Sequence, residues 1–409
     1  MFVITWAVKT KRRNTMALFS KCKTFSKRVD YLKSANQFFY LREIEPTADP
    51  VVSLRGKPVI MLGSNNYLGL STHPKVKEAA IKAVEKYGTG AGSSRVLTGT
   101  SALHNKLEQE LAEYKGSEAA VVFSTGFMTM MGTVSALTQE GDTILSDELN
   151  HASIVEGCRL SGSRVRVYRH NDMTSLEEQL IQCLDPGDTL IVTDGVFSMK
   201  GTVANLPGIK RLADNYNAKI MVDDAHGTGV LGSHGRGTAE YFGLEGKIDI
   251  ICGTFSKTLG TIGGFVGAPK EVVTFLKFNS RSFLFTASPP PLVAATVLSS
   301  LEVMKEEPQW LERLQKNTEF FKKGLKNLGF IIEDTITPII PVLVNDEEKT
   351  FKMTGLLEEE GVFVNPVVPP AIPKESSLIR VSIMATLSGE QLAAALEKFN
   401  RVGKRLGII

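Results

Sequence analysis

The chain has 409 residues, 43% of them hydrophobic and 22% charged, with 36 glycines, four cysteines and a net charge of +3. At roughly 100–200 residues per domain this predicts two or three domains around a large core, and the apolar content excludes a disordered chain. No apolar run reaches the roughly 18 residues of a membrane-spanning helix, and Cys22, Cys158, Cys183 and Cys252 are too scattered for a disulfide framework or zinc site, so a cytoplasmic protein is expected.

The first 28 residues carry eight Lys or Arg and no acid, which leaves a body with 39 basic against 44 acidic residues and no general affinity for nucleic acid. Phe2–Val8 precedes its basic residues, the reverse of a secretory signal, so the leader reads as disordered. Met16 is an alternative start, and a targeting role is the competing reading. Residues 30–45 read as a mixed amphipathic helix (Tyr31, Leu32, Phe38, Phe39, Leu41), ended by a turn at Pro46 and Pro50. Lys75–Tyr87 and Ala102–Tyr114 carry helical spacing. Ala119–Ser124, Thr143–Ser146, Arg164–Tyr168, Thr189–Thr193, Lys219–Val222 and Ile248–Gly253 read as strands. Continuously apolar strands separated by helices imply an α/β fold with a mainly parallel sheet, whose ligands bind at the strands' carboxyl ends. After Ser288-Pro-Pro-Pro291 come a helical segment, Leu292–Leu328, interrupted at Pro308, and a smaller α+β region closing with a helix near Gly389–Leu406. The expected division is a leader and arm over 1–60, a large domain over 61–290 and a small C-terminal domain over 291–409.

The strand ends carry the chemistry. Lys219–Val222 runs into Asp223-Asp224-Ala-His226, and two acids and a histidine there are costly to bury unless paired or used. Ile248–Gly253 runs into Thr254-Phe-Ser256-Lys257, a lysine set among hydroxyls that can bind an anion. Ser124-Thr125-Gly126-Phe127, between a strand and a helix, can cradle a phosphate on backbone N–H groups, and Asn150-His151-Ala-Ser153 opens another helix. A lysine, a carboxylate, a ring neighbour and phosphate donors are the set that pyridoxal 5'-phosphate needs. Gly227-Thr-Gly-Val-Leu-Gly232 matches a dinucleotide fingerprint, but Asp-Asp-Ala-His stands between strand and first glycine, which argues against a nicotinamide site. Gly88–Arg95 lacks the P-loop ending and reads as a loop near the substrate. No histidine has metal-ligand spacing, so no metal is expected.

Five segments in order, Gly63-Ser-Asn-Asn-Tyr-Leu-Gly69, Asp147–Ser153, Thr193–Met199, Val222–Gly227 and Thr254–Thr258, make the chain from about Leu62 onward resemble the α-oxoamine synthases, fold-type I pyridoxal phosphate-dependent transferases. The resemblance implies a mainly parallel seven-stranded sheet in the large domain. It also implies roles. Lys257 is the Schiff-base lysine and the base at Cα, and Asp223 pairs with the ring nitrogen. His151 stacks on the ring, and His226 and Ser198 approach its hydroxyl. Thr254, Ser256, Thr125 and the amides of Gly126 and Phe127 hold the phosphate. Thr286 reaches it from a neighbouring subunit, which implies a homodimer. Asn66 and Arg380 recognise the amino-acid carboxylate. The implied reaction is decarboxylative condensation of an amino acid with an acyl-CoA.

Within the family, Gly361–Pro373 and Ile379–Thr386 are most similar to the soluble bacterial serine palmitoyltransferases, which points to L-serine and a long-chain acyl-CoA. Alanine with pimeloyl-CoA, as in 8-amino-7-oxononanoate synthase, and glycine with acetyl-CoA are the alternatives. A catalytically silent subunit is a different class, opposed by the presence of Lys257. Leu387-Ser388 departs from the His-Thr usual after Ala-Thr.

Overall fold

Runs such as Leu190-Ile-Val192 and Ile220-Met-Val222 have no polar side to offer water, so they form strands covered on both faces. The computed structural model describes residues 19–46, 48–183, 189–369 and 371–409, and it places these runs in a seven-stranded sheet. The order across the sheet is Ala119–Phe123, Gly264–Ala268, Ile250–Thr254, Lys219–Asp223, Thr189–Asp194, Thr143–Asp147 and Arg164–Tyr168. Gly264–Ala268 runs antiparallel to both neighbours, and the remaining pairings are parallel.

That antiparallel strand is missing from the strands expected from the sequence. Two glycines in five residues hide its β pattern. Gly264 pairs with both Phe123 and Thr254, and a Cβ there would lie 2.3 Å from Thr129 Oγ1 and 2.9 Å from Gly126 Cα. Only glycine lets the helix Gly126–Leu137 start this close to the end of Ile250–Thr254.

The helix expected over 30–45 is displaced. It spans Ser20–Ser34, and beyond it Asn36 and Leu41 adopt φ of 52°, which a continuing helix cannot accommodate. Phe39 turns inward to stack on Phe351, with ring centroids 6.2 Å apart, while Leu41 is exposed. The aromatic residues there serve a tertiary contact, not one helical face. Of the basic leader read as disordered over residues 1–28, residues 1–18 lie outside the described residues, whereas 20–28 belong to the helix Ser20–Ser34, which corrects the reading there. The interruption at Pro308 is observed, separating Pro291–Glu306 from Gln309–Leu328, and the last helix is Gly389–Arg405.

Two small sheets complete the architecture. Ile44–Glu45, Val51–Leu54 and Lys57–Met61 pair with Val362–Phe363, while Ile339–Leu343, Leu378–Ser382 and Asn365–Val367 form the other. Leu62 links them, donating its N–H to Phe363 O at 2.9 Å and accepting from Ser382 N at 2.8 Å. Ala385 N then donates to Tyr67 O at 2.7 Å, so the segment 62–67 is laid along the strand that carries Arg380. Leu387, the family departure, is fully buried, and Ser388 caps the last helix by accepting from Gln391 N at 3.1 Å.

Candidate active site

Three adjacent strands end in buried aspartates, Asp147, Asp194 and Asp223. Asp194 and Asp223 are direct partners in the ladder, and Asp223 is level with Cys252 on its other side. Asp223 accepts the Ala225 N–H at 3.0 Å. Burial raises its pKa to about 6, against the lowering effect of Lys257. Burial and the charge of Asp223 hold the Asp194 carboxyl well above the usual range.

Lys257 follows the strand Ile250–Thr254 and is half-buried, with no ion pair within 4 Å among the described residues. Burial pulls its pKa down to about 8, opposed by Asp223 and Asp194. An amine in this range is neutral often enough near neutral pH to attack a carbonyl. Beside it, Thr254 Oγ1 and Ser256 Oγ are hydrogen-bonded at 2.8 Å. Thr125 caps the facing helix by accepting from Met128 N at 3.1 Å, and Phe127 stands exposed on its first turn. A Cβ on Gly126 would lie 2.7 Å from Thr254 Oγ1, so the glycine leaves the two hydroxyls and the helix N-terminus converged on one spot. That is an anion site by its donors.

The rings are fixed by local hydrogen bonds. His151 is the N-cap of Ala152–Ser161, and its Nδ1 lies 3.2 Å from the donating Ser153 N and 2.6 Å from Ser153 Oγ. Burial, aided by Lys257, lowers its pKa to about 4, so the ring is neutral. His226 Nδ1 and the fully buried Tyr67 hydroxyl pair at 2.7 Å. Burial pushes Tyr67 up to about 12 and His226 well below its ordinary value. Arg380 is buried and donates to Ser198 O at 2.6 Å, Ser382 Oγ at 2.6 Å and Asn65 Oδ1 at 3.1 Å. The structure thus joins Arg380 to Asn65. Asn66, expected with Arg380 at the amino-acid carboxylate, donates to Ser71 Oγ at 2.7 Å and Ala48 O at 3.2 Å, and its buried Oδ1 has no partner among the described residues. Thr286 lines a groove of about 660 Å³ with Gly90–Ser94, Val96 and Leu97, and its neighbour Ala287 accepts from Ser124 Oγ at 2.5 Å.

Asp224 has a different task from Asp223. It forms a buried ion pair with Lys115 at 2.8 Å and accepts from Thr238 Oγ1 at 2.6 Å and Thr238 N at 3.1 Å. The fingerprint-like glycines close around it and nearby side chains. A Cβ on Gly227 would fall 2.0 Å from Asp224 Oδ1, and one on Gly229 (φ +75°) 2.1 Å from Thr258 Cγ2. These glycines admit the protein's own side chains, and no long helix follows them, which removes the nicotinamide reading.

Tyr67, Asn65 and Asp194 were missed by the sequence reading. Asp194 had a usable signal, since it is an acid closing the apolar run Thr189–Asp194 just as Asp223 closes its own.

The residues fit pyridoxal phosphate. A buried carboxylate held at about 6 lacks a cation, the neighbouring lysine has a depressed pKa, and Gly126 leaves a donor-lined cradle beside them. Residues 57–399 match the family model described as aminotransferase class I and II. The chain belongs to that family. It is 48% identical to a serine palmitoyltransferase of Sphingobacterium spiritivorum over 380 residues, 93% of this chain and 95% of the relative. It is 44% identical to an 8-amino-7-oxononanoate synthase of Thermosipho melanesiensis, over 94% of this chain and 98% of that one. A serine palmitoyltransferase from S. paucimobilis, solved with a bound PLP–myriocin aldimine, superposes with a TM-score of 0.93 at 35% identity, covering 96% of this chain and 100% of the other. The enzyme is a pyridoxal phosphate-dependent α-oxoamine synthase with the fold-type I architecture.

Proposed function

We propose that the enzyme condenses L-serine with a long-chain acyl-CoA, releasing CoA and carbon dioxide to give a long-chain α-amino ketone. The observation that carries the substrate choice is the 48% identity to a serine palmitoyltransferase over nearly the whole of both chains. When bound, pyridoxal phosphate supplies an electron sink for the carbanion formed at the amino acid's Cα. Lys257 holds the cofactor covalently and then takes the Cα proton. Asp223 keeps a proton on the ring nitrogen, which every negatively charged state needs. His151, neutral and fixed by Ser153, stacks on the ring. His226, oriented by Tyr67 on Nδ1, leaves Nε2 for the ring hydroxyl, with Ser198 beside it. Thr254, Ser256 and the first turn of Gly126–Leu137 hold the phosphate. Arg380, braced by Asn65 and Ser382, receives the serine carboxylate, and Asn66, whose unpartnered Oδ1 accepts, takes a hydrogen bond from a donor group of the amino acid.

The enzyme acts as a homodimer in this reading, Thr286, on the wall of an open groove, reaching the phosphate site of the neighbouring copy. Three free cysteines are buried, and among the described residues no helix is long and apolar enough to cross a membrane; both support a cytoplasmic location. The second reading, alanine with pimeloyl-CoA, is favoured by the 44% identity to an 8-amino-7-oxononanoate synthase. Measuring CoA release for serine, alanine and glycine, each with acetyl-, pimeloyl- and palmitoyl-CoA, separates them. Turnover is expected to be highest with serine and palmitoyl-CoA, and no release from that pair would end the assignment.

A further inference from the structure

The neighbouring strands Thr143–Asp147, Thr189–Asp194 and Lys219–Asp223 each finish on a buried aspartate, and of these Asp147 is the well-compensated one. Asp147 accepts from Leu149 N at 2.9 Å and Asn171 N at 3.0 Å, and pairs with His170 Nδ1 at 3.1 Å. Asp223 accepts the Ala225 N–H and faces the cofactor site with Lys257. Asp194, the middle one, is 4% exposed. Among the described residues its carboxylate receives one hydrogen bond, from His151 N at 3.3 Å, and it has no ion pair. Like charges level with each other on adjacent strands repel, and in a low-dielectric site one of two such acids keeps its proton.

We infer that Asp194 is a positioning residue that stays protonated, anchoring the backbone of His151 and leaving Asp223 as the one anion beneath the cofactor's ring nitrogen. This rests on reading Asp223 as the partner of that nitrogen. The groups around Asp194 are Asp223 and Asp147 on the two flanking strands, His151 at the start of Ala152–Ser161, and Lys257 from the loop after Ile250–Thr254. Burial is the largest influence on its carboxyl and Asp223 the next, both favouring the neutral form; Lys257 opposes them. A protonated carboxyl can accept from His151 N while donating elsewhere, and asparagine reproduces both abilities.

The sign of the pH effect follows. An unfolded aspartate titrates near about 3.9, whereas Asp194 holds its proton in the native chain to higher pH, so this residue costs stability as pH rises from that value through the native pKa. His151 and His226, buried neutral, act oppositely as pH falls below about 6.5, so the variant must be read against the parent. The experiment is thermal unfolding of the full chain from pH 5 to pH 8, with and without added pyridoxal phosphate. Asp194→Asn is expected to gain Tm over the parent by an amount that grows with pH. Asp194→Ala shows the same trend but binds pyridoxal phosphate about tenfold more weakly than Asp194→Asn, having lost the acceptor for His151 N. A Tm difference independent of pH, a loss of Tm for Asp194→Asn at pH 8, or equal cofactor affinity in the two variants would overturn the inference. Asp223→Asn serves as the separate control. If it binds pyridoxal phosphate like the parent, the reading of Asp223 fails, while the pH trend of Asp194→Asn still reports on the proton.

Discussion

At the residue scale, the assignment turns on electrostatics. Asp223 and Lys257 are both buried enough to be pushed toward their neutral forms, to about 6 and about 8. Such shifts are expensive unless a ligand resolves them, and the proposed protonated ring nitrogen beside Asp223 would do so. Asparagine at 223 keeps the shape and the acceptor for Ala225 N but cannot hold that proton. Asp223→Asn is therefore expected to fold with unchanged circular dichroism and lose about 10²–10³-fold in kcat. Near-parental turnover would remove Asp223 from this role. Lys257 and Asp223 drew attention in the sequence because each stands where an apolar strand ends, a position with few structural uses for such a side chain, whereas His151 opens a helix and its role came from the family resemblance. The partnership of Arg380 with Asn65 was not. Asn65 and Asn66 are adjacent and chemically identical, and only the path of the backbone decides which one faces Arg380.

At the element scale, the loop that presents Asp223 and His226 is held from behind. Asp224 takes Lys115 and Thr238, and Lys115 also donates to Thr228 Oγ1 at 2.8 Å, tying the helix Ala102–Lys115 to the loop. Both charged side chains are nearly inaccessible, at 1% and 2% exposure, so removing one leaves the other unpaired. Lys115→Met is expected to cost about 3–5 kcal/mol in urea unfolding, and adding Asp224→Asn should return part of it. A cost below about 1 kcal/mol would show that the pair is solvated and not a brace. The helices and parallel strands were legible because their period or apolar continuity is strong. Gly264–Ala268 was not, since its glycines exist for close approach to Gly126 and Thr129 and weaken the β signal. The N-terminal helix was misplaced because Phe38, Phe39 and Leu41 mimic helical spacing, although Phe39 serves a contact with Phe351 and Leu41 faces solvent.

At the scale of the whole molecule, the sheet's carboxyl edge collects Asp147, Asp194, Asp223 and Thr254 in one row, and the strip 62–67 lies along the strand of Arg380 beside Ser198. The order of the sheet could not be read from the sequence, because strand neighbours there are set by crossovers and not by adjacency in the chain. The row is what makes the parts one site, and Lys257 is the residue through which the account stands or falls. The direct measurement is borohydride reduction of the purified, pyridoxal phosphate-loaded enzyme, followed by peptide mapping. The visible absorbance should bleach and a stable adduct should appear on the peptide containing Lys257, with both signals absent in Lys257→Ala. A colourless protein after loading, or an adduct on another lysine with Lys257 unmodified, would contradict the account.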